Sequence, residues 1–360
     1  MKNIGIAPSH KGALANKIFE VKEDRDSIRE PWLRLKKRIE DSGGNLATAD
    51  VVLSEQWKSL DALICLRPDF TFLYILKIIK RFPDVKLIFV QTEEEAVTKF
   101  CSPRYFLFRN LYDVCLSWRT DIPLDRRLIH QFYVNPRRTY NVGNSWDKSV
   151  LLIASNKLKE SLKSGFIYPL RLEYIELLRK YFDRCHIAGY GWDKPVLNGV
   201  EYIGEVENKQ EVYMGYTFAL IIENSAESGG ISEKIFDAMS GGCIPLYMGA
   251  PDVLDFIPEG CFINLREISR NSLAEKIDKL SLDEIKSYRN NIREFLTSQR
   301  YSLFTTEEFI ENLEKAIAFK RSTQNRKVIS YVCDSLFGAG LKTAFSSKRY
   351  CLTILKSFFL

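Results

Sequence analysis

Two apolar runs in this chain end on polar residues that could do chemistry. The first is Leu87-Ile-Phe-Val-Gln-Thr-Glu93, a buried-type strand that closes on a carboxylate. A carboxylate held at a strand end can take a proton from a hydroxyl as a general base. Glu94 and Glu95 follow at once, so Glu94 is a second candidate. The plain alternative for the triplet is a solvated helix start. The second run lies within Thr217 to Gly249, where residues 218–222 are apolar without alternation, as in a strand buried on both faces. Glu223 and Asn224 stand at its carboxyl end, and a loop with Gly229 and Gly230 follows. Ser232 is then the N-cap of a helix whose first turn holds Glu233 and Lys234. Glu233 suits the helix dipole, but Lys234 does not unless an anion lies near it. A diphosphate facing the free N–H groups of the helix start is a fitting anion. A solvated lysine beside an ordinary first-turn acid is the alternative.

These endings need a frame. Strand-like runs at 2–7, 61–66, 86–92 and 114–118 alternate with helical spacing over 28–42 and 70–81. The periodicity lapses around 137–146, where turn formers gather. It then restarts: strand 149–154, helix 168–182, strand 185–190, helix 207–214, strand 217–222, helix 232–240 and strand 243–248, followed by helices at 282–296 and 306–320. Alternation of this kind favours parallel sheets covered by helices. It predicts an α/β fold with two Rossmann-like, doubly wound domains, residues 1–145 and 146–320, facing a cleft in the architecture called GT-B. Ligands of such sheets sit at the carboxyl ends of the strands.

The string Glu223-Asn-Ser, a glycine-containing loop, Ser232-Glu-Lys-Ile235 and Ile244-Pro-Leu-Tyr-Met-Gly249 resembles the C-terminal signature of glycosyltransferase family 10, the α1,3/4-fucosyltransferases, in its bacterial form. Ala250-Pro-Asp-Val253 and Cys261-Phe-Ile-Asn-Leu265 are similar to it as well. Upstream, Ser155-Asn156 and Arg171 match a Ser-Asn or Ser-His pair and a phosphate-reaching Arg of that family. A guanidinium fits phosphate bidentately; the alternative is a helix-surface Arg paired with Glu173 or Glu176. Gly189-Tyr190-Gly191 resembles the family's glycine turn near the nucleotide. Gly230 departs from the pattern, since an aromatic residue is common there in the family.

The resemblance implies an inverting transfer of L-fucose from GDP-fucose to a hydroxyl of a glycan acceptor, lipopolysaccharide or another surface glycan, in α1,3 linkage. It implies Glu93 as the base, Arg171 and Lys234 as the cations on the leaving diphosphate, and Asn224 and Glu233 as donor-positioning groups. Ser155, Asn156, Gly189, Gly230 and Ser232 would line the nucleotide side. The departure at Gly230 leaves open a GT-B transferase that uses another nucleotide sugar.

No obligatory cofactor or metal is expected. The only Asp-x-Asp, Asp24-Arg25-Asp26, follows a polar stretch and reads as a capping and surface feature, so divalent ions would at most stimulate. The eight cysteines are scattered without metal-ligand spacing and read as reduced, mostly buried thiols. His10, His130 and His186 form no cluster. With 46% apolar and 27% charged residues the chain reads as globular. Its start lacks a secretory pattern, and the apolar stretch near 70–79 reads as a core helix too short for a bilayer. Residues 321–360 hold seven Lys/Arg against one Asp, which accounts for the whole net charge of +6. Within this tail, 341–360 has the spacing of a basic amphipathic helix. The expected location is cytoplasmic, with peripheral contact to an anionic inner-membrane face; a helix packed on the protein's own core is the alternative. A reading from another class, a nucleic-acid or anionic-surface binding protein built on the tail, is opposed by the neutrality of residues 1–320, and no nucleic-acid partner is expected.

Overall fold

The structure, a computed structural model, describes residues 2–20, 28–55, 57–97, 112–123, 125–135, 139–141, 143, 145–156, 165–192 and 199–320. Six strands, β1 (Asn3–Ala7), β2 (Asn45–Thr48), β3 (Ala62–Cys65), β4 (Lys86–Val90), β5 (Val114–Ser117) and β6 (Leu128–His130), form a parallel sheet in the order β2-β1-β3-β4-β5-β6. All of β3 and β5 and most of β1 and β4 are buried, because helices cover both faces. One face takes Ala49 and Val52 of α2 (Ala49–Ser54) and Ile75 and Ile78 of α3 (Pro68–Arg81). The other takes Trp32, Leu35 and Ile39 of α1 (Glu30–Asp41).

The second sheet holds β7 (Ser149–Ile153), β8 (Arg184–Ala188), β9 (Glu201–Tyr202), β10 (Phe218–Ile222), β11 (Ile244–Met248) and β12 (Ile263–Asn264) in the order β12-β11-β10-β7-β8-β9, again parallel. One face packs on α4 (Leu170–Leu178) and α7 (Arg270–Lys279), the other on α5 (Lys209–Tyr213), α6 (Glu233–Ser240) and α8 (Leu282–Thr297). Strand order reverses between β7 and β10. In doubly wound sheets such a reversal opens a crevice for ligand at the carboxyl ends of the two strands, and here those ends carry Ser155-Asn156 and Glu223-Asn224.

The last described helix, α9 (Thr306–Ala318), follows the second sheet in sequence but packs on the first. Its Phe309, Ile310, Leu313, Ala316 and Ile317 join the cluster of Ile4, Ile6 and Leu35, and Phe309 meets Trp32 edge-on at 5.3 Å. Arg34–Glu307 at 2.7 Å and Arg38–Glu314 at 2.8 Å flank that contact. The expected second domain of 146–320 therefore gives its final helix to the first unit, because the face that α9 buries is complementary to α1 rather than to its sequence neighbours. The units also share apolar packing: Phe132 lies 4.6 Å from Phe256 and 4.9 Å from Phe304, ring to ring. Five cysteines, Cys65, Cys115, Cys185, Cys243 and Cys261, are free and buried. No helix among the described residues is long and apolar enough to cross a membrane. The basic tail 321–360 and Asp24-Arg25-Asp26 lie outside the described residues.

Candidate active site

The carboxyl end of β10 leads to Glu223, which is completely buried. Its carboxylate accepts the Ser232 backbone N–H at 3.0 Å and faces the Ser232 hydroxyl at 2.8 and 2.7 Å. It also accepts from Lys234 Nζ at 3.2 Å. Ser232, in extended backbone, caps α6, and its Oγ takes a second bond from Lys234 Nζ at 2.8 Å. Glu233 Oε1 stands 3.7 Å from the same ammonium. The anion that a lysine at a helix N-terminus requires is thus present within the chain, as Glu223 lodged against the start of α6. The inference from Lys234 to a bound diphosphate does not need to hold for the helix to be stable. Burial alone would lower the pKa of Lys234, but Glu223 and then Glu233 hold it above its ordinary value.

From the first unit, the three glutamates after β4 take different places, and only Glu94 among them is seen against this cluster. Glu93 is partly open, its side chain 38% exposed and 3.9 Å from Arg67. Glu94 is buried, with its carboxyl beside the buried Ser225 hydroxyl, whose pull on the carboxylate is too weak to offset burial. Burial first, and then repulsion from Glu223, pushes the Glu94 carboxyl up from 4.5 to about 8, so it carries its proton at neutral pH. Glu95 turns to Arg119, 3.1 Å away.

Arg171 is only 3% exposed and lies flat on the Tyr168 ring, 4.0 Å from its centroid. Its Nε donates to the Ile222 carbonyl at 2.8 Å and its Nη2 to Asn224 Oδ1 at 3.2 Å. The surface pairing open from sequence is absent: Glu173 pairs with Arg270 at 2.5 Å and Glu176 with Arg179 at 4.0 Å. The guanidinium instead satisfies the last carbonyl of β10 and orients Asn224, whose own carbonyl accepts the Ile167 N–H at 2.8 Å.

Beyond β7, Asn156 donates its backbone N–H to Tyr190 O at 2.8 Å and its side-chain amide to Gly191 O at 3.1 Å. This zips the Ser155-Asn156 turn to the one after β8. Gly189 has φ +120°, and a Cβ there would lie 2.3 Å from Ala154 O, so only glycine lets the two turns meet. At Gly230 the N–H donates to Glu227 O at 2.9 Å, and a Cβ would stand 2.9 Å from that oxygen. The tight turn explains why no aromatic side chain occupies 230. The structure thus gathers Glu94, Glu223, Ser232, Glu233 and Lys234 into one cluster and sets Arg171 and Asn224 at the adjoining strand end. Ser155, Asn156 and Gly189 form the lip across the strand reversal. Sequence reasoning gave no role to Glu223, the charged end of a buried strand, or to Arg119 and Glu227, which meet from different units.

Two parallel sheets, each wound by helices and meeting through their carboxyl-end loops, define the GT-B class of glycosyltransferase folds. The model of glycosyltransferase family 10 (fucosyltransferase), C-terminal part, matches residues 144–328, just over half of the chain, and the chain belongs to this family. An α-(1,4)-fucosyltransferase of Arabidopsis thaliana is 26% identical over 163 residues, 43% of this chain and 38% of that protein. The α-(1,3)-fucosyltransferase FucT of Helicobacter pylori is 41% identical over 63 residues, 17% of this chain and 13% of that protein. The chain thus matches well under half the length of these curated relatives. A crystal structure of an α1,3-fucosyltransferase with GDP-fucose superposes with TM-score 0.55 at 16% identity, over 89% of this chain and 91% of the other. An α-glucosyltransferase in complex with UDP and a 13-mer DNA superposes with TM-score 0.56 at 10% identity, over 88% and 99%. At such identities the superpositions speak to the fold alone.

Proposed function

We propose that the chain transfers L-fucose from GDP-fucose to a hydroxyl of a glycan acceptor, with inversion and in α1,3 linkage. Family membership supports the reaction class, and the observation that carries the reading is the meeting of Glu94, next to Glu93 after β4, with the Glu223–Ser232–Lys234 cluster at the strand reversal. The acceptor hydroxyl gives its proton to Glu93, the open carboxylate at the end of β4, as its oxygen attacks the anomeric carbon. The bond from that carbon to the diphosphate breaks on the opposite face. Lys234, held by Glu223 and Ser232 at the start of α6, brings its positive charge to a leaving diphosphate oxygen. Arg171 acts through Asn224 and the end of β10, and Asn224 and Glu233 position the donor. With this cation in the chain, the reaction needs no obligatory metal, and transfer is expected to survive EDTA. The acceptor belongs to a lipid-linked surface glycan such as lipopolysaccharide, made at the cytoplasmic membrane face.

A thermal-shift comparison of GDP, UDP, CMP and GDP-fucose tests the donor; stabilisation by UDP rather than GDP overturns fucose. Glu93→Gln is expected to lose transfer while keeping GDP affinity. Full turnover in that variant, with loss in Glu94→Gln instead, moves the base to Glu94.

A further inference from the structure

The loop between β10 and α6 reaches across to the first unit. Glu227, on this loop, has a side chain 9% exposed, and all its side-chain partners named here belong to the other unit. Oε1 accepts the Glu95 backbone N–H at 2.5 Å; Oε2 accepts the Trp118 indole N–H at 3.1 Å and lies 3.7 Å from Arg119 Nη1. Arg119 is itself held bidentately by Asp121 at 2.8 and 2.7 Å. Two residues on, Gly229 has φ +72°, and a Cβ there would sit 1.9 Å from Trp118 O. The Gly229 N–H donates to Asp252 Oδ1 at 2.8 Å, and the other Asp252 oxygen takes the Thr120 hydroxyl.

The socket continues toward the proposed base. The Trp118 indole stacks on Tyr133 with centroids 4.8 Å apart, and Tyr133 donates its hydroxyl to Thr92 O at 2.7 Å, next to Glu93. The same loop carries Glu223 and Asn224 at one end and Ser232 to Lys234 at the other. One buried carboxylate therefore joins the donor-side loop to the strand ends that bear Glu93 and Glu94.

We propose that Glu227 is a positioning residue, a latch that sets the spacing between the donor-side cluster and the carboxylates after β4. The role in transfer rests on the function proposed above; the latch itself does not. Hydrogen–deuterium exchange of the full chain needs no substrate. Glu227→Ala should speed exchange at least tenfold in peptides spanning 93–97 and 225–231, and Glu227→Gln, which keeps an acceptor oxygen but loses the charge facing Arg119, should fall between. In transfer assays Glu227→Ala should lower kcat/KM for acceptor tenfold or more while GDP affinity stays within twofold, a split that general destabilisation would not produce. Unchanged exchange in both segments overturns the latch. Faster exchange with unchanged kcat/KM overturns the positioning role. If Glu227→Ala does not fold, Glu227→Gln is read by the same two criteria. Absence of any fucose transfer by the unaltered protein sinks the function and leaves the exchange result to decide the latch.

Discussion

Replacing Glu94 with Gln should stabilise the protein at high pH, and progressively less as pH falls. Burial and the nearby Glu223 push the Glu94 carboxyl from 4.5 to about 8, while in the unfolded chain it titrates as an ordinary glutamate. The folded state therefore holds a proton that the unfolded state releases. A raised carboxyl contributes stability that is fully present below the unfolded pKa and is lost as pH rises through the folded one. At about 1.4 kcal/mol per pKa unit, wild type should lose roughly 4 kcal/mol on this account between pH 5 and pH 9. Glu94→Gln has no such titration. Its amide, buried in place of the carboxyl, costs roughly 1–3 kcal/mol, but that cost is the same at every pH and cancels from the comparison. Urea unfolding of both proteins at the two pH values measures the gap, and groups common to both cancel as well. A stability difference between variant and wild type that is equal at pH 5 and pH 9, within about 1 kcal/mol, the usual error of such extrapolations, refutes the reasoning.

Other outcomes follow from the same geometry. Lys234→Ala leaves Glu223 buried without its counter-charge, which should cost about 3–5 kcal/mol; a lowered Tm together with at least tenfold weaker GDP binding is expected, and unchanged GDP affinity removes Lys234 from the phosphate role. Gly229→Ala forces a Cβ into Trp118 O at a positive φ, so it should destabilise by about 1–3 kcal/mol and loosen the loop, read as faster proteolysis between 223 and 232. Truncation after residue 320 should abolish co-sedimentation with anionic liposomes, and retained co-sedimentation retires the membrane role of the tail.

Continuous apolar runs marked β4 and β10 in the sequence because strands covered by helices on both faces need apolar residues at every position, and the polar residues after them had to lie at the ligand-facing ends. The N-cap at Ser232 and the helix behind it were legible for the same local reason: cap and first turn are satisfied by residues within a few positions. Strands as short as β9 and β12 hold too few residues for a period to register.

The partners of the charged groups were not local. Lys234 finds its anion in Glu223, eleven residues back across the loop. Arg171 turns inward to the end of β10 instead of outward to Glu173. Glu227 and α9 both take their places in the first unit. Nothing in local periodicity encodes which surfaces are complementary. The sequence by itself thus determined the two wound sheets and the polar strand ends, through burial and capping, whereas only the tertiary structure decided which charges meet, because those pairings depend on how separated segments pack, within the second unit for Lys234 and Arg171 and between the units for Glu227.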